Sequence, residues 1–273
     1  GGGAALAGVR RGAAKEGMEM LVVIRGAGDI ATGVALRLLR SGFSVILCEI
    51  ARPTAIRRTV CFSEAVTKGE TAVEGVLARR AAVEEVPALL AAGVVPVLVD
   101  PDVRCLAALA PGVLVDAILA KRNLGTRLDM APVVVAVGPG FTAGVDCHAV
   151  VETMRGHYLG RVIYQGSALP NTNIPGLIGG YAGERVLRAP ADGVFQGERS
   201  IGDTVQAGDV AGYVAGHPMT CTIAGTLRGL IADGVCVTRG MKCGDVDPRC
   251  EPRHCLCASD KALAVGGGVL EAT

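Results

Sequence analysis

The sequence predicts an α/β fold in which a parallel sheet is followed by a small all-β domain, and three observations support this class. Apolar, β-branched runs alternate with helical segments through the first half of the chain. A glycine turn joins the first such run to the first helical segment. Between residues 193 and 244, one pattern of glycines and apolar residues occurs twice, 32 positions apart.

The first strand, turn and helix come from the sequence LVVIRGAGDIATGVALRLLRSGFSVILCE. After the glycine turn, apolar residues at Ile30, Val34 and Leu38 follow helical spacing. A second apolar strand, Val45 to Leu47, then leads to an acidic residue. This order is the Rossmann fingerprint of nucleotide-binding domains.

Within the fingerprint, Gly26 permits the tight turn, and Gly28 lets the backbone approach a phosphate at the helix N-terminus. Gly33 completes the glycine set, and Glu49 stands where a carboxylate would accept ribose hydroxyl hydrogen bonds. Asp29 would repel a pyrophosphate, so beside a nucleotide it would face away or contact a metal or a sugar. The alternative is that the glycines only permit close packing of helix on strand.

Three further strands are predicted at Val94 to Val99, Val113 to Leu119 and Val133 to Val137. They alternate with helical segments at Val83 to Ala92 and Val103 to Leu109. Continuous apolar strands between helices indicate a parallel sheet covered on both faces. Ligands bind such sheets at the carboxyl ends of the strands, so the site is expected there.

Two arginines follow Glu49 closely, and Arg57 and Arg58 are therefore predicted to clamp a phosphate or carboxylate. A solvated helix face is the alternative for this pair.

The segment from 138 to 176 is dense in glycines and functional side chains. Backbone amides at Gly138, Gly140 and Gly144 are predicted to turn toward an oxyanion. Acid, base and anion-binding groups follow them. Cys147 beside a basic residue suggests a thiolate nucleophile, although neighbouring residues on a strand point to opposite faces. The catalytic candidates are Cys147, His148, Glu152 and His157, and Arg155 is an anion-binding candidate.

The repeated pattern predicts a pseudo-symmetric unit of two hairpin sets, similar to the biotinyl/lipoyl-like barrel-sandwich domain. Such domains carry their cofactor on a lysine of the hairpin between the halves. That link here is YVAGHPMTC, which has no lysine, so neither covalent biotin nor covalent lipoate is expected. The unit is then a scaffold, a lid or a docking surface.

Four segments are predicted: a flexible leader (1–19), a Rossmann-like domain (20–180), a barrel-sandwich domain (181–250) and a C-terminal helix that packs back (251–273). Ten cysteines in a sequence without a secretory signal predict reduced thiols in the cytoplasm. The sequence has no long apolar run, so no membrane span is predicted. The C-terminal cysteines lack metal-knuckle spacing, so no metal site is predicted. With 27 basic against 26 acidic residues and no Trp, nucleic-acid binding is not expected.

The chain resembles the selenium-dependent molybdenum hydroxylase maturation proteins, also called molybdenum cofactor biosynthesis accessory proteins. The resemblance covers residues 20–272, and its first half is also similar to the xanthine dehydrogenase accessory factors. Asn173 departs from it, since a glycine is expected in NTNIPG. The resemblance implies a molybdenum hydroxylase as client. The motifs that carry it are RGAGDIATGVALRLLRSGF, EIARPTAIRRTVCFSEAV, GPGFTAGVDCHAVVETMRGHYLGRVI, LRGLIADGVCVTRGMKCGDVDPR and SDKALAVGGGVLEA.

Three functions are compatible with these patterns. The first is an accessory factor that binds a molybdopterin nucleotide or related phosphate-containing cofactor and presents it to a molybdenum hydroxylase. The second is an NAD(P)-dependent oxidoreductase, and the third is a non-catalytic interaction scaffold for a client enzyme. The sequence leaves open whether the chain is an enzyme, which ligand it binds, whether selenium or sulfur passes through it, and whether it forms a homo-oligomer.

Overall fold

The computed structural model describes residues 20–172 and 176–273. The predicted leader (1–19) and Asn173 lie outside these ranges. The strands of the first sheet are β1 (Leu21–Arg25), β2 (Ser44–Glu49), β3 (Glu70–Val73), β4 (Val76–Ala81), β5 (Val95–Val99), β6 (Val113–Asp116), β7 (Val133–Val137), β8 (Ala149–Val151) and β9 (Val162–Ile163). The helices are α1 (Asp29–Arg40), α2 (Glu64–Lys68), α3 (Val86–Ala91), α4 (Leu106–Leu109) and α5 (Asp260–Ala272).

The first sheet has nine strands in the order β3-β4-β5-β2-β1-β6-β7-β8-β9. Its inner strands pair in parallel, but β3 pairs antiparallel with β4, and β9 pairs antiparallel with β8. The predicted parallel, Rossmann-like sheet is therefore wrong, because a hairpin at one edge and a returning strand at the other make the sheet mixed.

The central strands of the sheet are almost continuously apolar and are buried on both faces. In β6 all four residues are buried, with Val113 and Val115 facing α1 and α5 and Leu114 facing α3 and α4. This alternation follows from the two-residue period of a strand. The central strands are thereby held rigidly, with their carboxyl ends at one edge of the core.

Helix α5 returns from the C-terminus and packs against α1. Glycine permits the close approach: a Cβ atom built on Gly33 would lie 2.6 Å from Cβ of Ala262. The Nε of Arg37 donates a hydrogen bond to the Leu263 carbonyl at 3.3 Å. This packing places the N-termini of both helices side by side.

The repeated pattern forms two antiparallel sheets instead of the predicted barrel-sandwich domain, and that prediction is wrong as well. Each half of the repeat contributes two strands to one sheet and one short strand to the other. One strand before the repeat and one in the link between its halves widen the two sheets to four strands each. The strands are β10 (Val186–Arg188), β11 (Gly193–Gly197), β12 (Thr204–Val205), β13 (Val210–Val214), β14 (His217–Thr220), β15 (Gly225–Leu230), β16 (Cys236–Val237) and β17 (Lys242–Asp247), in the orders β10-β17-β15-β12 and β14-β13-β11-β16.

The loop after β2 joins the antiparallel sheets to the large sheet. The Leu230 amide donates to the Ile56 carbonyl at 2.8 Å, and the Nε of Arg58 donates to the Leu230 carbonyl at 2.7 Å. A Cβ atom on Gly229 would lie 3.2 Å from the same Ile56 carbonyl. The antiparallel sheets therefore sit beside the carboxyl end of β2.

None of the helices in the described parts of the chain is both long enough and apolar enough to cross a membrane.

Candidate functional site

A cavity of about 610 Å³ opens at the carboxyl ends of β1, β2 and β6. We call it the sheet-end cavity. Strand β1 lies between β2 and β6 in the sheet. The chain continues from β1 to β2 on one side and later crosses to β6 on the other side. This change of direction opens a crevice at the carboxyl ends of the strands, which is where ligands bind open α/β sheets. Its lining residues are Arg25, Gly26, Gly28, Asp29, Ile30, Cys48, Glu49, Ile50, Thr54, Ala55, Pro101, Asp102, Ala117, Ile118, Leu119 and Leu124.

The turn after β1 shapes the floor of this cavity. The Gly26 amide donates to the Cys48 carbonyl at 2.7 Å, and Gly26 has a φ of +105°, which favours glycine. A Cβ atom there would lie 3.0 Å from the Ala117 carbonyl oxygen. The turn is thus pressed between its two neighbouring strands.

Glu49 stands at the end of β2 with both carboxylate oxygens in use. Oε2 accepts from the Ala27 amide and Oε1 from the Ile50 amide, each at 2.8 Å. Burial raises the pKa of this carboxyl, and the two amides act in the opposite direction. Each oxygen keeps a second lone pair, so the group can still accept a hydroxyl hydrogen bond from a ligand.

A second cavity of about 560 Å³ lies between the start of α1 and the antiparallel sheets. We call it the cationic cleft, because eight cationic and only two anionic side chains line it. Gly28, Asp29, Ile30 and Ala55 line both cavities, which are therefore adjacent. The charged lining residues are Asp29, Arg57, Lys121, Arg155, Arg185, Arg188, Arg228, Lys242, Asp245 and Lys261.

Two helices begin at the cationic cleft. The N-cap of α1 is Gly28, which offers no side-chain cap, while the N-cap of α5 is Ser259, whose hydroxyl accepts from the Ala262 amide at 3.1 Å. Helix N-termini carry partial positive charge and unpaired amides. Asp29 and Asp260 lie in their first turns and offset part of this charge.

Carboxylates hold the arginines of the cleft in place. Arg57 Nη1 lies 2.9 Å from Asp29 Oδ2, and Arg155 contacts both oxygens of Asp260, at 2.8 and 2.9 Å. Asp245 receives hydrogen bonds from both Arg185 and Arg228. Guanidinium groups fixed in this way are preorganised for a planar anion.

Two lysines of the cleft have no such partner. Within residues 20–172 and 176–273, neither Lys242 nor Lys261 makes an ion pair or a side-chain hydrogen bond. Desolvation by the surrounding protein lowers the pKa of both ammonium groups. An anion in the cleft would relieve that desolvation cost.

Three buried polar atoms of cleft residues lack a hydrogen-bond partner within the described residues. They are Oδ1 of Asp29, Nε of Arg57 and Nε of Arg185. Buried polar groups in folded proteins are nearly always paired, so such atoms call for a specific explanation. Their position beside one cavity is consistent with a polar ligand or ordered water there.

The structure brings six of the sequence-predicted site residues to these two cavities. They come from the turn after β1, the end of β2, the loop after β2 and the loop after β8. They are Gly26, Gly28, Asp29, Glu49, Arg57 and Arg155.

Gly33 and Arg58 line neither cavity. Gly33 is a packing residue, since it lets α1 meet Ala262 of α5. Arg58 spans the junction with the antiparallel sheets through the Leu230 carbonyl and lies 3.6 Å from Glu64. The guanidinium of Arg58 links the loop after β2 to the antiparallel sheets. This position matches neither the solvated helix face nor the phosphate clamp that the sequence suggested for the arginine pair.

Two of the three amides of the predicted oxyanion loop bond to backbone carbonyls. The amides of Gly138 and Gly144 donate to the carbonyls of Val151 and Cys147. Gly140 has a φ of +107°, and a Cβ atom there would lie 2.5 Å from the Arg122 nitrogen. These glycines build tight turns, and two of their three amides are occupied by backbone carbonyls.

The four catalytic candidates do not converge. Cys147 is fully buried in the core, and burial raises the pKa of its thiol to about 11, contrary to a thiolate nucleophile. His148 points to the other side, where its Nδ1 accepts from the Val134 amide at 2.9 Å. Glu152 is buried and accepts from backbone amides at 2.6 and 2.8 Å. His157 is exposed and stacks edge-on against Tyr158.

Sequence reasoning missed most of the cleft. Five of its cationic residues were not among the predicted ligand-binding residues, although all of them line it: Arg185, Arg188, Arg228, Lys242 and Lys261. One signal was present: the chain has only five lysines, and three of them line this cavity. The clustering of rare lysines becomes visible only once the fold is known.

No protein-family profile matches the sequence. The chain is 55% identical over 255 residues to the uncharacterized protein YqeB of Escherichia coli K12; the match covers 93% of this chain and 47% of YqeB, so the chain spans about half the length of that curated relative.

Two solved structures show weak similarity. A succinylglutamate desuccinylase/aspartoacylase of Rhodobacter sphaeroides is 24% identical, with 23% of this chain and 22% of that chain covered and a TM-score of 0.22. An aspartoacylase family protein of Mesorhizobium loti is 12% identical, with 77% and 58% covered and a TM-score of 0.22. TM-scores this low do not indicate a shared fold.

Proposed function

We propose that this protein is an accessory factor that binds a phosphate-containing, nucleotide-type cofactor and presents it to a molybdenum hydroxylase in the cytoplasm. A molybdopterin nucleotide is the ligand class that we infer. The observation that carries the ligand part is the cationic cleft lying directly beside the less charged cavity at the sheet end.

The two cavities match the two ends of such a ligand. Phosphates would occupy the cleft, where guanidinium and ammonium groups face helix N-termini. A ring would occupy the sheet-end cavity against apolar residues such as Ile118 and Leu124, with Glu49 accepting a hydroxyl. Cavities of this size are typical of small-molecule sites.

The charge of the cleft favours more than one negative group on the ligand. The lining has eight cations against two anions, and Asp260 and Asp247, which pair with Arg155 and Arg228 from outside the lining, reduce the formal excess to four positive charges. Like charges held this close repel one another, and the repulsion is weakly screened away from bulk water. A diphosphate would neutralise this excess better than a single carboxylate.

The role toward a client enzyme rests on the motifs that resemble the maturation proteins. The positions of the residues support this role in one respect: the catalytic candidates are scattered, whereas the binding groups converge. A protein that binds and hands over a cofactor needs the second feature and not the first.

Thermal shifts measured with a panel of ligands test the proposal. We expect stabilisation by molybdopterin dinucleotides and weaker stabilisation by CTP or GTP. Stabilisation by NAD or NADP alone, together with turnover of a small substrate, would establish the oxidoreductase alternative. If no nucleotide raises the melting temperature, while a client hydroxylase still co-purifies with the chain, the protein is an interaction scaffold.

Replacing Gly28 by leucine tests the position of the ligand. A Cβ atom at Gly28 meets nothing within 4 Å and the φ is −72°, so the variant is expected to fold. The leucine side chain would project into the space that both cavities share. We expect nucleotide affinity to fall by at least about tenfold, equivalent to about 1.4 kcal/mol, with an unchanged melting temperature of the free protein. Retained affinity in the folded variant would place the ligand elsewhere.

A further inference from the structure

Two buried thiols and a carboxylate meet beside the sheet-end cavity. Cys48 is the penultimate residue of β2, Asp100 follows β5, and Cys105 directly precedes α4. One potential ligand atom from each residue lies within 4.8 Å of the other two. The two Sγ atoms are 3.5 Å apart, and both cysteines are at least 97% buried.

The spacing of the sulfur atoms fits a metal ion. Two thiolates bound at about 2.3 Å to a tetrahedral zinc ion lie roughly 3.8 Å from each other. The observed separation is close to that value and far from the roughly 2.05 Å of a disulfide bond. Asp100 adds a carboxylate, and its Oδ2 is oriented by the Cys105 amide at 2.8 Å.

A divalent cation bound between the two sulfur atoms and the carboxylate would hold both thiols as thiolates and balance the negative charge of the three ligands.

The cluster can be reached from two sides. Cys48 lines the sheet-end cavity, and Asp100 and Cys105 line a neighbouring cavity of about 590 Å³. Pro101 and Asp102 line both cavities and form the wall between them. Three protein ligands leave the fourth position of a tetrahedral ion open to water or a ligand atom.

We propose that Cys48, Asp100 and Cys105 form a binding site for a thiophilic divalent cation of the zinc class. The site is independent of the nucleotide proposed for the cationic cleft. Its position beneath the sheet-end cavity would place a cation next to any ligand bound there.

Cobalt(II) titration of the full chain, reduced and metal-free, tests the site. We expect one equivalent to bind with a thiolate-to-cobalt charge-transfer band and the visible spectrum of tetrahedral cobalt, and zinc to displace it. Cys48→Ser and Cys105→Ser are each expected to abolish the band. Asp100→Asn keeps both thiols and is expected to weaken binding while the band persists at saturation.

Two controls separate this site from other thiols. Cys243→Ser removes a fully buried thiol of the antiparallel sheets, and the double variant Cys250→Ser/Cys257→Ser removes more accessible ones. Both should leave the band unchanged. The proposal is overturned if the folded, reduced wild-type chain shows no charge-transfer band, or if the band survives in both variants of the cluster and disappears in a control.

Discussion

Lys242 and Lys261 are the residues on which the binding proposal depends most. They come from β17 and α5, 19 positions apart in the sequence, and both line the cationic cleft. The arginines around them are already held by carboxylates such as Asp245 and Asp260. Neither ammonium group has an ion pair in the described residues, so an anion gains most from them.

This arrangement predicts proton uptake when an anion binds. The pKa of each lysine is lowered in the free protein, and a bound phosphate raises it again. Affinity should therefore fall as the pH rises through the lowered pKa values. Titration calorimetry at alkaline pH, in two buffers with different ionisation enthalpies, should show protons taken up. Equal heats in both buffers would contradict the prediction.

Asp247 predicts how acid affects stability. Burial alone would raise its pKa, but hydrogen bonds from Arg249 and the charge of Arg228 outweigh burial and hold the pKa well below the ordinary 3.8. The stability it contributes is present above pH 3.8 and is lost as the pH falls toward the lowered value.

We expect urea unfolding of Asp247→Asn to show a free energy of unfolding lower by about 3 kcal/mol at pH 7, with a smaller difference at pH 3. A difference that stays constant between pH 7 and pH 3 would show that the carboxylate charge is not what stabilises the fold.

At the scale of elements, the contact between α1 and α5 requires a residue without a side chain at Gly33. A Cβ atom at Gly33 would lie 2.6 Å from Cβ of Ala262, whereas one at Gly28 has open space. We expect Gly33→Ala to lower the free energy of unfolding by about 1–3 kcal/mol. Gly28→Ala is the matched control, with a change below about 1 kcal/mol. Urea midpoints at constant m-value distinguish the two, and equal midpoints would contradict the packing role.

Individual elements were predictable where the pattern was strong. The strand Val133–Val137 has the bounds that its valine run predicts, and β5 (Val95–Val99) differs from prediction by one residue. The hairpin of β3 and β4 was missed because its turn uses Glu74, with a φ of +49°, before Gly75. Glutamate is not a typical residue for that conformation, so the sequence carries no clear turn pattern there.

At the scale of the whole molecule, long-range packing explains why the predicted fold class was wrong. The 32-residue repeat correctly indicates strands at equivalent positions in its two halves. Strand β11 corresponds to β15, β12 to β16, and β13 to β17. The repeat says nothing about the strands outside it, nor about the antiparallel strands at both edges of the large sheet. Those details depend on long-range packing, which local periodicity does not encode.

The candidate site is predictable only in part for the same reason. The turn after β1 and the acid after β2 belong to one local pattern, and Gly26, Gly28 and Glu49 were found from it. The cationic groups come from seven separate regions of the chain. Their common position is set by how the antiparallel sheets and α5 dock beside α1, which no local motif describes.

Calorimetric titration with inorganic pyrophosphate tests the cationic cleft most directly. The double variant Lys242→Met/Lys261→Met removes both ammonium groups and keeps their apolar stems, while Lys68→Met removes a lysine that pairs with Glu64 away from both cavities. We expect the double variant to bind about 100-fold more weakly than wild type, since a hydrogen bond to a charged group contributes about 1.5–3 kcal/mol. Lys68→Met should bind like wild type. Equal pyrophosphate affinity in wild type and a folded double variant would show that the cleft is not the anion site.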